Sequence, residues 1–174
     1  MFGHRAPSPA PGMAPDAVDG ENAGGINLRA KAIACLARRE HSRAELALKL
    51  ARFSADKLAI EALLDALAEQ NLLSERRAAQ SIVRARSDRQ GSLRVAGELR
   101  ARGITGDLAA EMLHDLKSTE AARAQALWER KFGAPAGDAQ SRAKQMRFLQ
   151  ARGFAPEVIR AVVPAVLKGA VVQD

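Results

Sequence analysis

The apolar positions along this chain fall into a pattern that recurs about every 50 residues. An arginine opens each copy of the pattern, and a short apolar set begins six residues after it. The three sets are Leu58/Ala62/Leu63, Leu108/Met112/Leu113 and Val158/Val162/Val163, behind Arg52, Arg102 and Arg152. A fixed period of this length is typical of small helical units that bury their apolar faces partly against their neighbours. The pattern therefore predicts three similar repeats in a row and disfavours a single catalytic pocket.

Apolar spacings of three and four residues divide each repeat into three helices. Asn27 is a predicted N-cap, Ser42 opens a capping box with Glu45, and Asn71 ends the third helix. Later boundary signals are Ser74 as a restart, the loop Gln90-Gly91-Ser92 with a new N-cap, Gly103 and Gly153 as helix ends, Thr105 as an N-cap, Thr119 as the third start, and Pro156 as a first helical position. The predicted fold is all-α, an elongated tandem array of three three-helix repeats.

These boundaries divide the chain into five segments. Residues 1–26 are predicted to be a disordered tail, because proline and glycine alternate there without an apolar period. The three repeats are expected at 27–73, 74–117 and 118–168, followed by a frayed C-terminus at 169–174.

Composition supports a helical, cytoplasmic chain. Tyrosine is absent, and no apolar run approaches the roughly 20 residues that a membrane span needs. The single cysteine, Cys35, excludes an internal disulfide framework and favours a reducing cytosol, where we expect it to be a small buried side chain. The chain is expected to be a monomer.

The residues that usually carry catalysis form no recognisable set. There is no phosphate-binding glycine loop, and His4, His41 and His114 lie too far apart in sequence to predict a metal site. His41 and His114 are interpreted as solvated helix-end residues, and Glu45 with Lys49 as an exposed pair on a solvated face. We therefore predict a protein without enzymatic activity, cofactor or metal.

The net charge of +7 is concentrated in two stretches. Residues 75–102 hold eight arginines and three acidic residues, and residues 123–160 hold eight basic and three acidic residues, a net +5 each. Such a surface favours a polyanion or an acidic protein face. The predicted partner- and phosphate-binding residues are Arg84, Arg86, Arg94, Arg100, Arg102, Arg142, Lys144, Arg147 and Arg152. Because aromatic residues that could stack on bases are few, contacts to DNA should go to phosphates without sequence specificity.

Three phrases in order along the chain resemble the bacterial RecX family. They are Glu45-Leu46-x-x-Lys49-Leu50, then Ser81-x-Val83-Arg84-x-Arg86 with Glu98-Leu99-Arg100-x-Arg102-Gly103-Ile104, then Lys144-Gln145-Met146-Arg147-Phe148-Leu149-x-x-Arg152-Gly153-Phe154. The resemblance covers roughly residues 28–165. One departure is Arg77, where the family usually shows phenylalanine.

The resemblance implies a function that the composition alone does not. RecX-like proteins are small, all-helical chains of three-helix repeats that bind the RecA recombinase. They lodge in the groove of the RecA–DNA filament and restrain its growth, ATP hydrolysis, strand exchange and co-protease activity. By this resemblance the chain would regulate DNA repair, homologous recombination and the SOS response.

Two other classes stay open from the residues alone. One is a sequence-independent DNA-binding protein that does not need the recombinase. The other is a helix-turn-helix transcription regulator, because the second helix, turn and third helix of a repeat could mimic that motif.

Overall fold

The computed structural model describes residues 27–166, so the predicted disordered tail at 1–26 and frayed end at 169–174 lie outside the described residues. Within that range the chain forms nine helices and no strand, which confirms the predicted all-α fold. Repeat 1 contains α1 (Leu28–Leu36), α2 (Arg43–Leu50) and α3 (Lys57–Glu69); repeat 2 contains α4 (Glu75–Arg86), α5 (Ser92–Ala101) and α6 (Gly106–Ser118); repeat 3 contains α7 (Glu120–Lys131), α8 (Ala139–Gln150) and α9 (Pro156–Val162).

Each repeat closes a hydrophobic core of its own. The largest fully buried side chains of repeat 1 are leucines on α2 and α3, and Phe154, at the turn before α9, is the largest in repeat 3. The buried core residues are Ala32, Leu46, Leu50, Ile60, Leu64, Leu67 and Leu73 in repeat 1; Ala78, Ala79, Ile82, Val95, Leu99, Ile104, Met112 and Leu116 in repeat 2; and Ala124, Leu127, Trp128, Leu149, Phe154, Ile159, Val162 and Val163 in repeat 3. Cys35 is half-buried at the edge of the first core rather than fully buried.

Most helix boundaries follow the predicted capping chemistry. Asn27 accepts a hydrogen bond from the Ala30 N–H at 2.9 Å, and both halves of the Ser42 capping box are present. Asn71 takes the left-handed conformation at φ 56°. In the predicted loop Gln90-Gly91-Ser92 the N-cap of α5 is Gly91, and Thr105 is the N-cap of α6 without a side-chain hydrogen bond.

The spacing between repeats differs from the predicted 50 residues in one place. Helix α6 begins at Gly106 and α9 at Pro156, fifty apart, but α3 begins at Lys57, only 49 residues before α6. The predicted first apolar set, which begins at Leu58, therefore lies one position too early in the sequence. Leu58 itself is 83% exposed. The counterparts of Leu108 and Met112 on α3 are Ala59 and Leu63.

A glycine turn joins each repeat to the one before it. The turn between α5 and α6 packs on the start of α2, and a Cβ on Gly103 would lie 2.6 Å from the Ala44 Cβ. The turn between α8 and α9 packs on the start of α5 in the same way, with the Gly91 N–H donating to the Arg152 carbonyl at 2.9 Å. We call these two contacts the 1–2 joint and the 2–3 joint.

A glutamate in the first turn of the following repeat completes each joint. Glu75 accepts a hydrogen bond from the Arg43 N–H at the start of α2. Glu120, only 2% exposed, accepts from the Ser92 N–H at 2.9 Å and from the Ala155 N–H at 3.3 Å. A carboxylate at helix N-termini meets unpaired N–H groups and the positive end of the helix dipole. Neither glutamate was predicted from the sequence.

Arg123 supplies the complementary contact on the same helix as Glu120. Its guanidinium donates to the carbonyl groups of Ser87, Gln90 and Leu116, which follow or close α4 and α6. Burial lowers the pKa of Arg123, and the charges of Glu120 and Asp88 oppose that shift. One turn of α7 therefore holds the 2–3 joint through an acid at helix N-termini and a base at helix C-termini.

Candidate polyanion-binding surface

The structure divides the nine predicted binding residues into two groups. Arg84, Arg86, Arg94 and Arg100 are exposed on α4 and α5, and Lys144 and Arg147 are exposed on α8. The half-buried members are Arg102, Arg142 and Arg152. These three make internal contacts that compete with binding to a partner, so the nine residues do not form one equivalent surface.

Arg86 and Arg102 belong to an ion-pair network at the 1–2 joint. The Glu98 carboxylate accepts from Arg86 Nε and from Arg102 Nη2, each at 2.8 Å. Arg102 also lies 3.4 Å from Glu45, which holds Arg39 at 2.8 Å. Because each of these cations has a carboxylate partner, the network contributes little positive field to the surface.

Glu45 therefore has a different role from the predicted exposed pair with Lys49, which was wrong. Burial alone would raise the pKa of Glu45, but hydrogen bonds from Arg39 and the Ser42 N–H, together with the charge of Arg102, lower it to about 2. A carboxylate held in this way favours the folded state only while it is ionised.

Lys49 instead contacts His41, whose predicted solvated position was also wrong. His41 is 1% exposed, with Nδ1 3.0 Å from the Arg39 carbonyl oxygen and Nε2 2.8 Å from Lys49 Nζ. Burial lowers the pKa of His41, and the charges of Arg39 and Lys49 add to that shift, while the Arg39 carbonyl and Glu45 oppose it. The ring is thus held neutral, donating from Nδ1 and accepting from Lys49. Because the folded pKa lies below 6.5, protonation opposes folding as pH falls.

Acidification should expose the contribution of Glu45 directly. Its folded pKa lies below its ordinary value, so the stabilisation is present above pH 4.5 and is lost as pH falls toward about 2. We expect the parent to lose about 2 kcal/mol more unfolding free energy across that window than Glu45→Gln does. Urea unfolding at a series of pH values measures the difference. The other acidic groups and His41 are common to both proteins, so parallel pH curves would contradict the assignment.

Repeat 3 differs from the rest of the described chain in its charge pairing. The ion pairs found within residues 27–166 all lie between Arg39 and Glu111. In repeat 3, Arg142 donates from Nε to the Pro164 carbonyl at 2.8 Å, and Arg152 lies 3.7 Å from the centre of the Phe148 ring. Neither interaction neutralises a charge, so both arginines add to the positive field of repeat 3.

Five cations surround a pair of adjoining clefts at the 2–3 joint. One cleft, of about 330 Å³, is lined by Arg89, Arg130, Lys131, Arg152, Leu127 and Phe148. The other, of about 320 Å³, shares Arg89 and Arg152 and adds Arg94, Gln90 and Ala151. We call the pair the basic cleft. Arg94 and Arg152 were predicted as binding residues from the sequence, whereas Arg89, Arg130 and Lys131 were counted only in the net charge of their stretches. The packing of α7 against the loop before α5 brings these three together.

Comparison with known proteins assigns the chain to a family. Sequence profiles described as RecX, second three-helix domain, and RecX, third three-helix domain, match residues 74–113 and 118–163. The regulatory protein RecX of Ralstonia nicotianae is 46% identical over 145 residues, which cover 83% of this chain and 89% of that protein. The chain belongs to the RecX family. The regulatory protein RecX of Herminiimonas arsenicoxydans is likewise 46% identical, over 80% of this chain and 93% of its own length.

Solved structures of RecX proteins share the fold. The crystal structure of RecX from Lactobacillus salivarius superposes with a TM-score of 0.65 at 19% identity, covering 78% of this chain and 91% of that chain. A second crystal structure of a regulatory protein RecX gives a TM-score of 0.63 at 21% identity, over 78% and 73% of the two chains. Among residues 27–166, no helix is long and apolar enough to span a membrane.

Arg77, the departure from the RecX pattern, has a structural role in this chain. Its Nε donates to Glu40 at 2.8 Å, and Nη2 donates to the carbonyl groups of Asn71 and Leu72 at 2.9 and 3.2 Å. The side chain thus satisfies the carbonyl groups that follow α3 and ties them to the loop before α2. Arg77 therefore makes polar contacts to repeat 1 at the start of the second repeat.

Proposed function

We propose that this protein binds the RecA recombinase and its filament on DNA, and inhibits the ATPase, strand-exchange and co-protease activities of the recombinase without a catalytic activity of its own. Membership of the RecX family supports a regulatory role. The observation that carries the physical argument is the concentration of unneutralised cations in repeat 3. A filament of protein and phosphate presents a dense negative charge to such a surface.

The similarity of the two joints favours a partner that is itself built from repeating units. Each joint uses the same elements: a glycine turn and a first-turn glutamate from one repeat, and a helix start from the repeat before it. Buried backbone hydrogen bonds at the 2–3 joint fix the orientation of repeat 3 on repeat 2. Preorganised surfaces lose less conformational freedom on binding, which favours contact with several sites along an ordered filament.

The residues we propose for this contact are those whose side chains extend from the surface without an internal carboxylate partner. On α8 they are Lys144 and Arg147, and on α4 and α5 they are Arg84, Arg94 and Arg100. Arg86, Arg102, Arg142 and Arg152 also hold the fold together, so their replacement would mix effects on binding and stability.

Reversing charge on α8 should therefore weaken inhibition strongly. We expect Lys144→Glu with Arg147→Glu to raise the concentration for half-inhibition of strand exchange and ATP hydrolysis by about tenfold or more, because attraction to phosphates is replaced by repulsion. The matched control is Arg38→Glu with Arg52→Glu, an equal charge change on exposed residues of repeat 1. The parent should inhibit well below one molecule per nucleotide. Unchanged recombinase activity at saturating parent protein would contradict the proposal.

DNA binding without the recombinase is the second candidate, and the basic cleft favours it. Binding to bare DNA, combined with no effect on the recombinase, would select it.

A helix-turn-helix regulator is less well supported because the third helices of repeats 1 and 2 carry exposed acids. Glu61 and Asp65 on α3, and Asp107 and Glu111 on α6, would face the phosphates beside a DNA groove.

A further inference from the structure

The two joints contain clefts built from equivalent positions, but one cleft is balanced in charge and the other is basic. One of the clefts at the 1–2 joint, which we call the balanced cleft, has a volume of about 130 Å³. Its charged lining residues are Arg39, Arg86 and Arg102 with Glu40, Glu45 and Glu98. The basic cleft has a similar position, between the loop before α5 and the helices α7 and α8, but no acidic residue lines it.

Equivalent helix positions show how the residues of the basic cleft differ from those of the balanced cleft. Glu45 is the third residue of α2, and Arg94 is the third residue of α5. Glu98 lies four residues before Arg102, and Phe148 lies four residues before Arg152. Both carboxylates that bridge the arginines of the balanced cleft are therefore missing from the basic cleft.

Two of the three cations of the balanced cleft, Arg86 and Arg102, have basic counterparts in the basic cleft, whereas the register that pairs Glu45 with Arg94 places Asp88 at the position of Arg39. Helices α4 and α7 correspond with an offset of 45 residues, from Glu75 to Glu120, which pairs Arg86 with Lys131. The same offset places Arg130 at the position of Ala85. The acids next to the cleft in sequence, Asp88 and Glu129, do not line it. The basic cleft thus repeats an anion-binding arrangement without supplying the anion.

The arrangement is also prepared for binding. Arg152 Nη1 donates to the Phe148 carbonyl at 3.0 Å, and its guanidinium rests on the Phe148 ring, so its position is fixed before any ligand arrives. Fixing a binding group in advance reduces the entropy cost of binding. Converging like charges repel one another, and an anion between them relieves that repulsion.

We propose that the basic cleft binds the phosphodiester backbone of single-stranded nucleic acid, with phosphates supplying the negative charge that Glu45 and Glu98 supply at the other joint. Five cations around two adjoining clefts fit a chain of regularly spaced anions better than one acidic side chain. Leu127 and Phe148 provide an apolar floor against which a sugar or base can pack. This inference deepens the proposed function by naming where DNA is held, and it is tested on DNA alone, so the two can fail separately.

The first test neutralises the cleft in the full-length protein. Arg89→Gln, Arg130→Gln and Lys131→Gln leave Arg152 and the joint intact, and fluorescence anisotropy measures binding to a labelled oligothymidylate. We expect the dissociation constant to rise about tenfold or more, and the dependence of binding on salt to weaken by about 0.7 for each phosphate that the variant no longer neutralises. The control, Arg38→Gln with Arg52→Gln and Lys57→Gln, removes the same charge from exposed positions in repeat 1 and should change binding by less than about threefold.

The second test restores a carboxylate to the cleft. Phe148→Glu places an acid four residues before Arg152, as Glu98 stands before Arg102, whereas Phe148→Gln removes the same ring without adding charge. We expect Phe148→Glu to bind the oligonucleotide at least about fivefold more weakly than Phe148→Gln, because an internal anion competes with phosphate. Circular dichroism checks that each variant is folded.

Two results would overturn the proposal. One is parental DNA affinity in the folded triple variant together with equal affinities of the two Phe148 variants. The other is a triple variant that keeps the DNA affinity of the parent but no longer inhibits the recombinase. That result would show that the cleft binds an acidic protein surface instead of DNA. Weakened DNA binding supports the cleft whether or not the recombinase is inhibited.

Discussion

Replacing Gly153 with alanine should destabilise the protein by about 2–4 kcal/mol, one of the largest effects we expect from a single substitution. Gly153 has φ 76°, where an L-residue with a side chain is strained. An added Cβ would also lie 2.5 Å from the Arg94 Cβ and 2.6 Å from the Arg94 backbone nitrogen. Neither atom can move without shifting α5, so the substitution opens the 2–3 joint.

Substitutions at two other glycines distinguish the cost of backbone strain from the cost of a steric clash. Gly106 has φ 65° but open space around its Cβ position, so Gly106→Ala should cost only about 1–2 kcal/mol. Gly97 lies inside α5 with nothing within 4 Å, and Gly97→Ala should stabilise by about 0.5–1 kcal/mol. Urea unfolding followed by circular dichroism measures all three. If Gly153→Ala cost no more than Gly106→Ala, the close packing of the 2–3 joint would be wrong.

Removing the Glu120 carboxylate should be about as costly. Glu120→Ala leaves the Ser92 and Ala155 N–H groups buried without an acceptor and removes the charge that faces Arg123. Together these changes should cost about 2–4 kcal/mol of unfolding free energy. The same urea unfolding measurement applies.

Two variants control the Glu120 result. Glu120→Gln keeps an acceptor oxygen and should be less destabilised than the alanine variant. Glu75→Ala tests the equivalent position at the 1–2 joint, where the glutamate is only half-buried, so its cost should also be smaller. If Glu75→Ala and Glu120→Ala lost the same unfolding free energy, burial of the glutamate would not determine the size of the loss.

Much of the fold could be predicted because local chemistry specifies it. Capping residues such as Asn27 and Ser42, and the left-handed residue Asn71, act within a few positions of themselves. The register of α3 could not be predicted in the same way. Arg52 aligns with Arg102 when residues are counted at the 50-residue period, but α3 begins only 49 residues before α6. Only the packing of α3 shows which of its apolar residues are buried.

The candidate site was less predictable because the sequence shows which residues are charged but not which of them form ion pairs. Arg102 and Arg152 stand in nearly identical phrases, yet one is paired with Glu98 and the other rests on Phe148. His41 was assigned to the solvent as a polar helix-end residue, and Glu45 because it lies four residues before Lys49, a spacing typical of exposed pairs. Their burial results from the turn of the following repeat covering the start of α2, a contact between residues about 60 positions apart.

The joint between repeats also has a direction, which bears on self-association. It is a head-to-tail contact, and contacts of this kind produce open fibres whenever the exposed ends of an array fit each other. In the first turn of the array, Ser54 stands at the position of Gly103 and Ala55 at that of the buried Ile104, and the turn has no positive φ. The first turn of the array therefore differs from the glycine turn that each joint uses within the chain.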